Sequence, residues 1–188
     1  MNYTYTLGIA FSALALTLSG CNSTKSLSPS QSGEVEIIEF CTGNDFNTDS
    51  KHFRSTATGE SLSRETAKKM SRSNAEDRLS RSISATLEVV TDNYVNSTKF
   101  NDKEEVTETF NNLARTIVNQ ELRGAIIICE KLTQKADGSF VSYIAIELSG
   151  EQIAQAYNER LSKDERIMAE FNYENFKETF EAEMEKRR

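Results

Sequence analysis

The reactive side chains of this chain are few enough to take one at a time: Cys21, Cys41, Cys129 and a single histidine, His52. His52 stands in a polar stretch and no Gly-x-Ser-x-Gly elbow occurs anywhere, so a serine hydrolase would have a base without a recognisable nucleophile. Ser-x-x-Lys, His-Glu-x-x-His and Gly-rich phosphate-loop patterns are absent as well, which removes the familiar routes to penicillin-type, zinc and nucleotide chemistry. Two thiols and one imidazole without Cys-x-x-Cys spacing do not make a zinc site, so neither a metal nor a cofactor is expected. Carboxylates are plentiful, but a glycosidase pair is defined by a distance in space, and the acidic residues here fall mostly on exposed helix faces. The expectation is a protein that is not an enzyme.

Cys21 is different, because of what precedes it. Leu7 to Leu18 (LGIAFSALALTL) is a run of apolar and small residues with no charged residue in positions 1–20. Twelve residues are too few to cross a bilayer as a helix but match the hydrophobic region of a secretory signal peptide. Leu18-Ser19-Gly20-Cys21 then resembles a bacterial lipobox, although Met1 to Thr6 carries no Lys or Arg. That resemblance implies cleavage before Cys21 and attachment of diacylglycerol and an N-acyl chain to it. At roughly 0.8 kcal/mol per buried methylene, two or three acyl chains anchor a protein effectively permanently. Residues 1–20 are thus read as signal peptide, and 21–33, rich in Ser and Thr, as the lipidated Cys and a flexible tether. No acidic cluster follows Cys21; by resemblance to surface-exported lipoproteins of the Bacteroides type, which tend to carry one, the expected location is the outer membrane, facing the periplasm. Such a compartment permits disulfides, so Cys41 and Cys129 are read either as one disulfide or as two buried free thiols.

With 22 Lys+Arg against 29 Asp+Glu, the net charge of −7 gives no electrostatic footprint for a nucleic-acid partner. The expected partners are the membrane, through the anchor, and a second copy or another envelope protein.

The elements that would carry these side chains follow from periodicity. Val35 to Cys41 is β-rich and ends in the turn residues Thr42 to Asp45, which reads as a first strand; Phe53 to Glu60 reads as a second, with Gly59 freeing the backbone to turn. Ser61 or Ser63 caps a long amphipathic helix along which Ala67, Met70, Leu79, Ile83, Leu87, Val90 and Tyr94 recur. Its first half is crowded with Arg64, Lys68, Lys69, Arg72, Arg78 and Arg81, a solvated face or a cationic groove for an acidic partner. Val106, Phe110, Leu113 and Ile117 predict a second helix behind Asn101-Asp102. Leu122 to Leu132 and Phe140 to Leu148 are β-branched runs joined through Asp137-Gly138, a hairpin signal, and the apolar character of both faces of the return strand predicts a central strand. Ser149 caps a helix bearing Ile153, Tyr157 and Leu161, and Asn172 a last one with Phe176, Phe180 and Met184, preceded by Phe171. That aromatic stripe either docks on the parent core or makes Phe171, Phe176, Phe180 and Met184 the contact for a partner. The expected fold is α+β: a small, mostly antiparallel sheet of three or four strands against a long amphipathic helix, the domain spanning 34–162, with a C-terminal helical extension over 163–188.

Phe53 to Ser61, Thr66 to Ile83 and the paired runs over 122–148 resemble the Lpp-twenty family of bacterial lipoproteins, whose pattern is an extended segment ending in Gly-x-Ser, a helix studded with Ala and Arg, and a hairpin. Ala67, Ala75, Arg78, Leu79 and Ile83 fit it, whereas Met70 and Ser71 stand where another small Ala is usual. At longer range the chain is similar to flagellar outer-membrane lipoproteins. The resemblance covers roughly residues 50–150 and implies an α+β module that oligomerises side by side, without catalytic residues. The function expected is that of a membrane-anchored envelope lipoprotein, self-associating or scaffolding; the alternative is a periplasmic binding protein for a small apolar or cell-wall-derived ligand held between the long helix and the sheet.

Overall fold

The computed structural model describes residues 37–165 and 167–187, so the signal-peptide, lipobox and tether expectations, Cys21 included, lie outside the described residues. Three strands, β1 (His52–Ser61), β2 (Ile126–Gln134) and β3 (Phe140–Ser149), form an antiparallel sheet in the order β1-β3-β2. Four helices accompany it: α1 (Arg64–Ser97), α2 (Lys103–Glu121), α3 (Gly150–Leu161) and α4 (Tyr173–Glu185). The fold is α+β, as the periodicities predict.

β3 is central because neither of its faces suits water. Ser142, Ile144, Ile146 and Leu148 are buried under α1, and on the opposite face Val141 and Ala145 are buried too. The hairpin to β2 turns at Gly138, whose φ of 87° is open to glycine and costly for other residues, and Lys135 N–H donates to Ser139 O across the turn (2.8 Å). The Leu122 run enters the sheet later than expected: Leu122–Gly124 is a 3₁₀ turn and pairing starts at Ile126.

Each helix begins at a side chain that can accept an orphan backbone N–H. Ser63 caps α1, Asp102 caps α2, Ser149 caps α3 and Asn172 caps α4, each accepting from the N–H three residues on. At 34 residues α1 is about 50 Å long. A ten-residue strand spans only about 33 Å, so one end of the helix overhangs the sheet. Its two halves are built accordingly. Ala67, Ser71 and Ala75, all fully buried, lie against the strands, and from Leu79 through Ile83, Leu87 and Val90 to Tyr94 the buried side chains grow larger. Around the overhang α2, α3 and α4 complete the core, where Tyr94 packs against Phe100, Phe110, Phe171 and Phe176, and Tyr157 against Phe110 and Phe176.

The close approach of α1 to the sheet is made at Gly59. It is not the turn expected of it: β1 runs on to Ser61, and a Cβ at position 59 would sit 2.4 Å from both Ala67 O and Ser71 N. Beside it, Ser71 Oγ and Ser142 Oγ share a buried 2.8 Å hydrogen bond. The departure of Ser71 from an all-Ala pattern is thereby explained, since its hydroxyl meets a partner on the central strand. Met70, expected on the buried face, is 43% exposed.

Two further expectations are corrected. Within the described residues, 37–41 form no strand: Cys41 has φ 58°, the chain turns, and Cys41 is bonded to Cys129 of β2 with the Cα atoms 5.6 Å apart. The segment is stapled over the open face of the sheet instead of pairing along an edge. The disulfide closes a loop 88 residues long, which in the chain-entropy account stabilises the fold by up to about 4.6 kcal/mol. The second correction concerns the tail. Phe176, Phe180 and Met184 are at most 2% exposed, so these three serve the parent core and are not available as a partner contact, while Phe171 is half-buried and packs against Tyr94 and Phe110 at the margin of that core. Tyr94 Oη fixes the start of α4 by accepting from Asn172 N–H (2.9 Å) and donating to Asn172 O (3.2 Å). Residues from Ile38 onward form one compact unit, of which α4 is part.

Replacing Gly59 by Val forces the α1 and β1 backbones apart. A loss of about 3 kcal/mol is expected, read as a fall in the urea midpoint, whereas Thr58→Val on the exposed side should stay within about 0.5 kcal/mol of the parent.

Candidate functional site

The end of the sheet where β1 begins and β3 finishes gathers titratable side chains from several elements around a hollow. Asp49 precedes β1 in a turn whose carboxylate Oδ1 accepts the N–H groups of Lys51 and His52, both at 2.8 Å. Gly150, the first residue of α3, donates its N–H to Lys51 O (2.8 Å), joining the strand end to the helix start. A Cβ at Gly150 would lie 3.2 Å from Lys51 O and 3.3 Å from the Phe180 ring, so a side chain there would press on both by a few tenths of an ångström. Above it α4 brings Lys177, Phe180 and Glu181, leaving a cleft of 290 Å³ with Ala154 and Phe180 at its base and Lys51, His52 and Glu151 around it. Lys177 Nζ lies 3.1 Å from Glu151 Oε2 and 3.8 Å from Glu181 Oε1, and Glu151 holds the ammonium above its ordinary pKa.

Next to the cleft, on the open face of the sheet, four charged or polar groups close on one another. Arg54 Nε meets Glu147 Oε2 at 2.6 Å across the β1-β3 ladder, and Arg54 Nη1 meets Asp49 Oδ2 at 2.7 Å. His52 Nδ1 is 3.4 Å from Asp49 Oδ1 and its Nε2 is 3.9 Å from Glu147 Oε1. Burial opposes the ionised form of Asp49, but the two N–H donors and the Arg54 guanidinium outweigh it and hold the carboxyl below its ordinary value. Burial opposes the charge on Arg54 as well, and there Glu147 and Asp49 more than compensate.

Chemically this is an orienting cluster. The ring of His52 is surrounded by Asp49, Arg54 and Glu147. Ser149, opposite it in the ladder, accepts Gln152 N–H as the cap of α3 (3.4 Å). Among the described residues no group of three or more His, Cys, Asp or Glu side chains is arranged to hold a metal. By sequence His52 is named only to be set aside as a catalytic base, and Lys51, Glu151, Lys177 and Glu181, which come from three separate parts of the chain, are not singled out; the Asp49-x-x-His52 spacing is a local sign of the turn.

Three of the six basic residues in the first half of α1, Lys68, Arg72 and Arg78, reach the sheet, while Arg64 and Arg81 pair with Glu65 and Asp77 of the helix itself. Arg78 Nη1 donates to Thr56 O (2.8 Å) and Asn74 Nδ2 to Thr58 O (3.0 Å), while Thr48 Oγ1 exchanges hydrogen bonds with the N–H and C=O of Arg54. The outer edge of β1 is closed by these side chains. Arg72 reaches Ala125 O at the head of β2, and Lys68 pairs with Glu130. The outer edge of β2 is bordered instead by exposed Ile126 and Ile127, interrupted by a bulge between Ile127 and Cys129. Beneath the first half of α1 the interface with the strands is filled by Gly59, Ala67, Ser71 and Ser142. No helix among the described residues is long and apolar enough to cross a membrane.

No family model, no curated protein and no solved structure matches this chain.

Stability should register the Asp49 carboxylate. Its folded pKa lies below the unfolded one, so its contribution is present above about pH 4 and is lost as the pH falls through the folded value. Asp49→Asn should therefore give a shallower decline of the urea midpoint between pH 5 and about pH 2, with the midpoint at pH 2 nearly that of the parent.

Proposed function

We propose that this chain is a lipid-anchored envelope protein of the outer membrane, facing the periplasm, whose folded part acts by association and not by catalysis. The observation that carries the reading is Leu18-Ser19-Gly20-Cys21 placed directly after an apolar run of signal-peptide length. The Cys41–Cys129 bond supports it, because such a bond is typical of proteins that fold outside the reducing cytosol. The likeness of residues 50–150 to the Lpp-twenty family points the same way. Association is favoured over chemistry because the side chains with chemical potential, His52, Asp49, Arg54 and Glu147, bind one another across the sheet.

The surface for self-association or scaffolding is sought at β2. With the β1 edge occupied by Thr48, Asn74 and Arg78, among the described residues it is the β2 edge of the sheet that offers both backbone groups and exposed apolar side chains, Ile126 and Ile127. The small-ligand alternative moves from the filled helix-sheet interface to the cleft at His52, whose volume suits a molecule of few atoms.

Cys21→Ala should shift the protein from the membrane to the soluble fraction on fractionation; an unchanged membrane fraction would sink the anchoring reading. A double Ile126→Lys, Ile127→Lys variant should reduce the mass measured by light scattering to that of a single chain. If the parent is already a single chain, the self-associating role fails.

A further inference from the structure

Ile38 is 88% exposed and Phe40 51% exposed, two large apolar side chains separated only by Glu39 at the start of the folded unit. Phe40 is held in place, with Ile38 two residues before it. Phe40 meets the ring of Tyr143 edge-on at 5.4 Å, Thr42 Oγ1 donates to Glu39 O at 2.8 Å, and Cys41 is bonded to Cys129 of β2. These ties hold the segment on the open face of the sheet, the face turned away from α1. Exposed apolar groups already ordered in this way lose little freedom on docking.

We infer that Ile38 and Phe40 form a second membrane contact, seated at the boundary between head groups and acyl chains, and that the open face of the sheet is the membrane-facing side of the domain. The inference rests on the anchoring reading. Only residues 22–37 separate Cys21 from Ile38, and whatever its conformation a stretch of that length spans at most about 60 Å. Acyl chains on Cys21 therefore keep this segment at high effective concentration near lipid, where a contact too weak to recruit the protein alone is still populated. Glu39, exposed between the two apolar side chains, limits the insertion to the interface. A lipid surface accounts for the position of the pair beside the tether, which a protein partner would not require.

The chain contains no tryptophan, so a single one reports without background. Full-length Phe40→Trp and, separately, Ile38→Trp would be purified from bacterial membranes and reconstituted into vesicles of phosphatidylethanolamine with a minority of phosphatidylglycerol, with and without brominated acyl chains. Val89→Trp, on the outer side of α1, is the control. The expected result is a blue shift and loss of most of the emission from positions 40 and 38 in brominated vesicles, with position 89 unaffected. Protein that floats with the vesicles while both reporters emit as in water overturns the second contact and leaves the anchor standing. A blue shift without quenching overturns it in favour of a protein cover. Protein that does not float with vesicles removes the anchor and this contact together.

Discussion

The contact between Gly59 of β1 and the backbone of α1 is the constraint around which the rest is arranged. With no side chain at position 59 the helix settles onto the strand at Ala67 and Ser71, close enough for Ser71 to reach Ser142 on the central strand. That proximity brings Asn74 and Arg78 to the carbonyls of β1 and Arg72 to the head of β2, so one helix caps groups at both sides of the sheet. It also sets the axis along which the overhanging half of α1 projects, and hence where α2 and α4 collect their aromatic residues around Tyr94.

The two faces of the sheet are consequently unlike. One is sealed by a helix through small residues and hydrogen bonds. The other is covered in part by a short segment clamped by the disulfide, with the Asp49, His52, Arg54 and Glu147 cluster at one end. A small sheet with one closed edge and one open edge has a direction for growth, and the bulge and the Lys68–Glu130 pair along β2 restrain indiscriminate pairing there. Exposed apolar side chains remain at the head of β2 and at Ile38 and Phe40, and others, among them Leu62, Met70 and Val89, lie at the start of α1 and along it.

Much of this was readable without coordinates. Strand and helix periodicities, the Asp137-Gly138 turn, the central place of β3 and the caps at Ser149 and Asn172 depend on neighbours a few positions away, and local rules of burial and hydrogen bonding determine them. The strand expected at Val35 to Cys41 illustrates the limit. β-propensity states that a segment fits a pleated surface, not that a free edge is within reach, and the covalent tie at Cys41 held its end over the face of the sheet.

The composition of Leu7 to Cys21, the absence of motif chemistry and the alternatives for the two remaining cysteines are properties of linear order, and the amino-acid sequence suffices to state them. Three-dimensional packing had to choose between readings that linear order leaves equal. It placed Phe176, Phe180 and Met184 in the core, where Phe176 meets the rings of Tyr94, Phe110 and Tyr157 and Phe180 meets that of Phe53, with Phe171 at the margin. Gly59 acquired its meaning from a helix backbone 2.4 Å from where its side chain would be, and Arg78 and Arg72 acquired theirs from the carbonyls of Thr56 on β1 and Ala125 just before β2. In each case the deciding energy is a contact between residues distant in sequence, which no local pattern encodes.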